Sequence, residues 1–265
     1  MGILTSWRGH RSPRREPISD RVWRRVVEDR PLFDGLSADE IARLRVLSTD
    51  LLAQKDIHGA AGQEIDNRVR ATIAAQACLP ILNLGIDYYK GWVEVIVYPD
   101  QFLPEREEVD AAGVVHITRR PLSGEAWHGG PVILSWADVQ YVDHGGGVNV
   151  VIHEFAHKLD MLDGDVNGMP PLHKEMSRRQ WSDAFWREYS DFCAALESGR
   201  PTTVDPYAAE SPGEFFAVMS EAFFEIPAAV KLEHPQVYRQ LQLFYRQDPA
   251  LRRPQAGDRQ NFSAP

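Results

Sequence analysis

Val150 to Gly164 reads VVIHEFAHKLDMLDG and sets two of the chain's nine histidines, His153 and His157, four residues apart, with Glu154 directly after the first. On a helix, residues four apart lie one turn above each other, so the two imidazoles share a face and can chelate one ion. Glu154 stands about 100° further round the helix, near enough to take a proton from activated water without ligating the ion itself. Ile152, Phe155, Ala156, Leu159 and Leu162 make much of the remaining circumference apolar. That pattern predicts a buried helix, ended by the turn signal Asp163-Gly164. Two packed core histidines are the alternative to a metal centre. Imidazoles on a buried helix need partners, however, and the glycine run Gly145-Gly-Gly147 leads straight from strand-rich sequence into this one.

A catalytic zinc site takes three protein ligands and keeps a fourth position for water. The metzincin continuation requires glycine at position 160 and histidine at 163; Asp160 and Asp163 exclude that class. Asp160 falls one turn beyond His157 and is expected to accept a hydrogen bond from a ligating imidazole's other nitrogen. The third ligand is sought in the later helix that begins at Ser211, where Glu214 and Glu221, seven residues apart, share nearly one face. Either carboxylate could complete the site. Ser211-Pro-Gly-Glu214 also reads as a capping box with proline at the first helical position, which gives Glu214 a purely structural alternative. Spacing leaves the choice open.

Around this centre the chain is 265 residues long, 43% apolar and 25% charged, an ordinary globular composition. Its net charge of -9 argues against a general nucleic-acid binder. Residues 1–30 run the other way, with eight arginines against four acidic residues. Neither a signal-peptide core nor a run of the roughly 20 apolar residues of a membrane span is visible, so a cytoplasmic protein is expected. Cys78 and Cys193 are expected to be buried thiols rather than a disulfide.

Ser37-Ala-Asp-Glu40 is a capping box opening a helix, and Glu64 to Cys78 gives a second helical pattern. Trp92–Tyr98, Val114–Thr118 and Val132–Trp136 then read as strands of one small sheet. Helical patterns return at Val148–Leu162, Arg178–Glu197, Pro212–Glu225 and Pro235–Gln247. The expectation is an α+β fold with a mainly helical C-terminal half. A basic, disordered arm (1–19) precedes one catalytic domain (20–250), whose parts at about 20–147 and 148–250 flank a cleft; a flexible tail (251–265) follows. The strand at Val132, just before the metal-site helix, is expected to pair with an extended substrate.

HEFAHKLD, followed some fifty residues later by Asp205-Pro-Tyr-Ala-Ala-Glu-Ser-Pro-Gly-Glu-Phe-Phe-Ala-Val-Met-Ser-Glu-Ala-Phe-Phe224, resembles the Mlc titration factor A family. The likeness runs from about residue 20 to 250 and includes Pro131-Val-Ile-Leu-Ser-Trp136. These are bacterial cytosolic zinc metallopeptidases of the gluzincin type, with a zincin-like fold related to the anthrax lethal factor catalytic domain. The resemblance implies zinc on His153, His157 and Glu214, Glu154 as general base, and Tyr207 facing the metal, where its phenol can donate to an oxyanion. It further implies an aminopeptidase-like activity on short peptides, and binding and inactivation of an Mlc-like repressor of glucose phosphotransferase genes. A rival from another class is a non-catalytic repressor-titrating protein whose zinc is structural or latent. Direct nucleic-acid binding through the arginine-rich arm is a third reading, resting on that arm alone.

Overall fold

The computed structural model describes residues 17–103, 105–109, 115–119, 122–141 and 146–252. Most of the basic arm and of the C-terminal tail therefore lies outside the described residues. After α1 (Asp20–Glu28), α2 (Ala38–Gln54) opens on the expected capping box. The Glu40 N–H donates to the Ser37 hydroxyl oxygen at 3.2 Å, and the Ser37 N–H donates to the Glu40 carboxylate at 2.9 Å. β1 (Asp56–Gly59) follows, then α3 (Asn67–Cys78), which starts at Asn67 rather than Glu64 because the Asp66 side chain accepts the Val69 N–H. α3 is nearly all buried, and its alanines let neighbouring elements approach closely.

Next come β2 (Glu94–Tyr98), β3 (Glu105–Val109), β4 (Val115–Arg119), β5 (Gly124–Ala126) and β6 (Val132–Ser135). The main sheet has the order β1-β2-β6-β5, parallel except for β5, with Ile57 opposite Val95, Val97 opposite Leu134 and Ala126 opposite Val132. The expectation of one sheet is corrected here. β2 and β6 share the main sheet, whereas β4 pairs with β3 in an antiparallel two-stranded sheet. A local partner satisfies β4, and strand patterning carries no information about which strand pairs with which.

A second correction follows from the strand order. β6 has neighbours on both sides, so its main chain is already paired and cannot take up a further strand. β5 is the edge. Ser135 donates its N–H to the Ser123 carbonyl, and Leu122 exchanges both main-chain bonds with Phe102 on the opposite side. By the alternation of an antiparallel ladder, the N–H and C=O groups of Gly124 and Ala126 point away from β6.

The helical half holds α4 (Trp136–Gln140), α5 (Val150–Asp160), α6 (Arg178–Glu197), α7 (Pro212–Glu225), α8 (Pro227–Glu233) and α9 (Pro235–Tyr245). Trp136 begins α4 instead of ending β6, because Ser135 caps that helix. Every residue of α5 is buried, against β5 and β6 on one side and α3 and α7 on the others. The rings of Tyr89 and Trp92 meet Phe155 of α5 edge-on, with centroids 5.0 and 5.5 Å away. Both cysteines are free thiols, Cys78 buried as expected and Cys193 only half-buried. Among the described residues, no helix is long and apolar enough to cross a membrane.

The capping box gives the first test of this fold. Ser37→Ala should lower stability by about 1 kcal/mol, read as a shifted urea midpoint at constant slope. An unchanged midpoint would show that the box contributes nothing.

Candidate metal centre

The centre is made where α5 lies against α7. Asn149 starts α5, its side-chain oxygen accepting the Ile152 N–H at 3.0 Å. Its main-chain N–H donates to Glu221 Oε2 at 2.5 Å, and its Nδ2 donates to Gln76 Oε1 of α3 and Glu225 Oε1 of α7, each at 2.8 Å. One residue thus ties the start of α5 to two neighbouring helices. On α7 the expected cap is present, with the Glu214 N–H donating to Ser211 Oγ at 3.1 Å. The cap uses the main chain of Glu214 and leaves its carboxylate available, so the structural role does not compete with a ligand role.

Glu221 Oε1 lies 2.5 Å from His153 Nδ1. A carboxylate only accepts, so Nδ1 donates and the lone pair of the neutral ring is left on Nε2. That Nε2 is 3.1 Å from His157 Nε2 and 3.0 Å from Glu214 Oε2, and His157 Nε2 is 3.2 Å from the same oxygen. The three atoms form a nearly equilateral triangle. A tetrahedral ion with bonds of ~2.0 Å holds its ligand atoms ~3.3 Å apart, so the donor set fits a small divalent cation with little adjustment. Glu214 rather than Glu221 completes the triangle, and Glu221 orients His153 from behind.

Charge points the same way. Glu154 and Glu221 are almost wholly buried and Glu214 is largely so, against only two imidazoles. Burial pushes the Glu154 carboxyl up to about 7 despite the pull of His153 and His157. Burial also raises Glu221. At Glu214 burial acts upward too, but the adjoining rings of His153 and His157 win and hold it well below the usual carboxylate range. Burial opposes a charged His153, yet Glu221 and Glu214 keep its pKa well above that of ordinary imidazole. Such a cluster must keep protons or take a cation. Glu154 Oε2 is buried without a hydrogen-bond partner among the described residues.

A cleft of about 580 Å³ opens over the triangle, lined among others by Gly124, Ala126, Val148, Tyr207 and Val218. Tyr207 lies in a 3-10 turn, Pro206–Ala209, whose first N–H bonds are taken by Asp205, with Oδ1 accepting from Tyr207 N–H at 2.8 Å. Its ring is 6.0 Å from that of His153, and the residue remains 44% exposed. β5 passes directly over Glu154. A Cβ on Gly124 would stand 2.4 Å from Glu154 Oε1, so only glycine fits between strand and carboxylate.

Asp160 corrects an expectation. It is fully buried, but its Oδ2 accepts the Gly168 N–H at 2.8 Å, while its Oδ1 and His157 Nδ1 each lack a partner among the described residues. Its carboxylate anchors the loop after α5 instead of bonding an imidazole. Sequence reasoning passed over Asn149 and Gln76, although each left a trace. Asn149 is a cap-type residue directly before a helix, and Gln76 is a lone amide in the apolar run of α3.

The family model described as glucose-regulated metallo-peptidase M90 matches residues 4–246. The chain is 40% identical over 225 residues to Mlc titration factor A of Salmonella arizonae, covering 84% of this chain and 89% of that protein. It is equally similar to the proteins of that name from Salmonella paratyphi B and Salmonella typhimurium, covering 84% of each.

The purified protein should hold about one divalent ion per chain by elemental analysis, lost in His153→Ala, His157→Ala or Glu214→Ala. Glu221→Gln should retain the ion but release it to a competing chelator at roughly 10–100-fold weaker affinity. Full loss in Glu221→Gln with retention in Glu214→Ala would reverse the two roles.

Proposed function

The chain belongs to the glucose-regulated metallo-peptidase M90 family, and we propose that it is a zinc-dependent peptidase of the gluzincin type with aminopeptidase-like action on short peptides. The observation that carries this reading is the donor triangle of His153, His157 and Glu214 with the buried Glu154 carboxylate beside it, all beneath an edge strand. Two nitrogens and one carboxylate oxygen suit zinc, which when bound supplies Lewis acidity, acidifying water and polarising a carbonyl.

This chain's own residues then have separable tasks. An extended peptide lies along β5 and takes main-chain hydrogen bonds from Gly124 and Ala126, so side-chain selectivity is modest. Glu154 accepts the proton of the attacking water and delivers it to the leaving amine, for which its raised affinity for protons is suited. The Tyr207 hydroxyl donates to the oxygen of the carbonyl as it becomes tetrahedral. Glu221 holds His153 in one tautomer throughout.

A second activity is favoured by the 40% identity to proteins named Mlc titration factor A. We propose that the chain also binds an Mlc-type transcriptional repressor in the cytoplasm and withdraws it from its genes. Binding of this kind does not need hydrolysis.

Glu154→Gln separates the two activities. It should keep its metal and its affinity for the repressor while cleavage of a reporter peptide disappears; loss of both activities together would mean that the repressor occupies the catalytic cleft. Tyr207→Phe should lower kcat about 10²–10³-fold with little change in KM or metal content. It should still exceed Glu154→Gln, which disables water activation and leaving-group protonation together. Wild-type turnover in Tyr207→Phe would reduce Tyr207 to a packing residue.

A further inference from the structure

Lys158 follows His157 directly and is only 3% exposed, an unusual place for a lysine. Burying an ammonium is costly unless its protons are all satisfied. Here the partners are main-chain carbonyls: Nζ donates to Trp127 O at 2.6 Å and to Gly130 O at 2.8 Å. The ammonium also faces the Trp92 ring, 4.9 Å from its centroid. Trp127 and Gly130 belong to the turn joining β5 to β6, which is closed by Gly130 N–H to Trp127 O and Trp127 N–H to Pro131 O.

The helix therefore holds this hairpin at two points one turn apart. Glu154 meets the strand at Gly124, and Lys158, four residues on, grips the turn that follows the strand. β5 has only three residues and a single strand neighbour along most of its length, so its ladder alone is a weak determinant of its position.

We propose that Lys158 is a positioning residue for the substrate-binding edge, setting the place of β5 over Glu154 so that a peptide paired with Gly124 and Ala126 meets the base. This rests on the peptidase reading of the cleft. It gives the lysine a task that neither metal binding nor proton transfer requires. Lys55 provides the control. Its Nζ also lies over the indole of Trp92, 4.0 Å from the ring centroid, but it donates to the carbonyls of Tyr89 and Trp92 instead of to those of the hairpin turn.

The experiment compares unaltered protein, Lys158→Met and Lys55→Met, all zinc-loaded, by hydrogen exchange and by kinetics on two reporters, an extended peptide and a single-residue amide. Lys158→Met should speed exchange of the ladder-facing amides of Glu125, Trp127 and Ile133 roughly tenfold or more, as expected for loss of two charge-assisted hydrogen bonds. KM for the extended peptide should rise by a similar factor, with little change for the single-residue amide or in zinc content. Lys55→Met should leave both hairpin exchange and kinetics as in the unaltered protein. Unchanged hairpin exchange in Lys158→Met, or the same effects from Lys55→Met, would overturn the proposal.

Should Lys158→Met fail to fold, the unaltered protein decides, since a tethered hairpin must exchange as slowly as the β2–β6 ladder. Exchange at Glu125 and Trp127, whose N–H groups face β6 in the ladder, as fast as in an open loop would refute the tether. If the unaltered protein cleaves neither reporter, the peptidase reading fails by itself, and the exchange data alone uphold or refute the grip of Lys158.

Discussion

Burying acidic side chains in the contact between α5 and α7 is the constraint around which the rest of the molecule is arranged. Glu221 faces this contact with little access to water, Glu214 stands at its mouth, and Glu154 is buried beside it under β5. Carboxylates so placed are tolerated only where every charge finds a donor or a cation. The surrounding structure supplies the donors in order: Ser211 and Asn149 fix the helix starts, Asn149 adds its own N–H to Glu221, and Glu221 fixes His153. Three donor atoms are then left facing one point, on the side of the helix pair that opens to the cleft.

α5 is shared between two bodies of structure. One side meets α7 and carries the candidate metal centre; the other lies under β5 and β6. His153, Glu154 and His157 are thus held on one rod of eleven residues, itself wedged between α3 and the rings of Tyr89 and Trp92. Rigidity of this kind places reacting groups without further ordering when substrate arrives.

What was legible in the sequence was local. The α5 motif, the capping box at Ser37, and the extent of α6 and α7 follow from side-chain period and capping chemistry, which act over one or two turns. The choice of Glu214 over Glu221 was not legible in the same way. Both share a helix face, and only the depth to which α7 slides along α5 decides which carboxylate reaches Nε2 and which reaches Nδ1; resemblance to a family supplied what spacing could not. β1 and β5 escaped notice for a related reason. Asp56–Gly59 and Gly124–Ala126 are too short and too polar to carry a period-2 signal, and they are strands only because β2 and β6 offer them a ladder. Assigning substrate pairing to Val132–Trp136 failed on the same point, since which strand forms an edge depends on pairing between distant parts of the chain.

The atoms of the candidate metal centre come from two helices separated by more than fifty residues: His153 and His157 on α5, and Glu214 on the first turn of α7. Before α7 seats, α5 offers two imidazoles and nothing more. Ion capture at full strength therefore waits for closure of a long loop, and an apparent affinity measured on the whole protein contains the free energy of that seating as well as of coordination. Looseness anywhere in the intervening α6 region is transmitted to the centre as weaker retention of the ion, without any change in its ligands. Retention of the ion is in this sense a gauge of how completely the helical half has assembled.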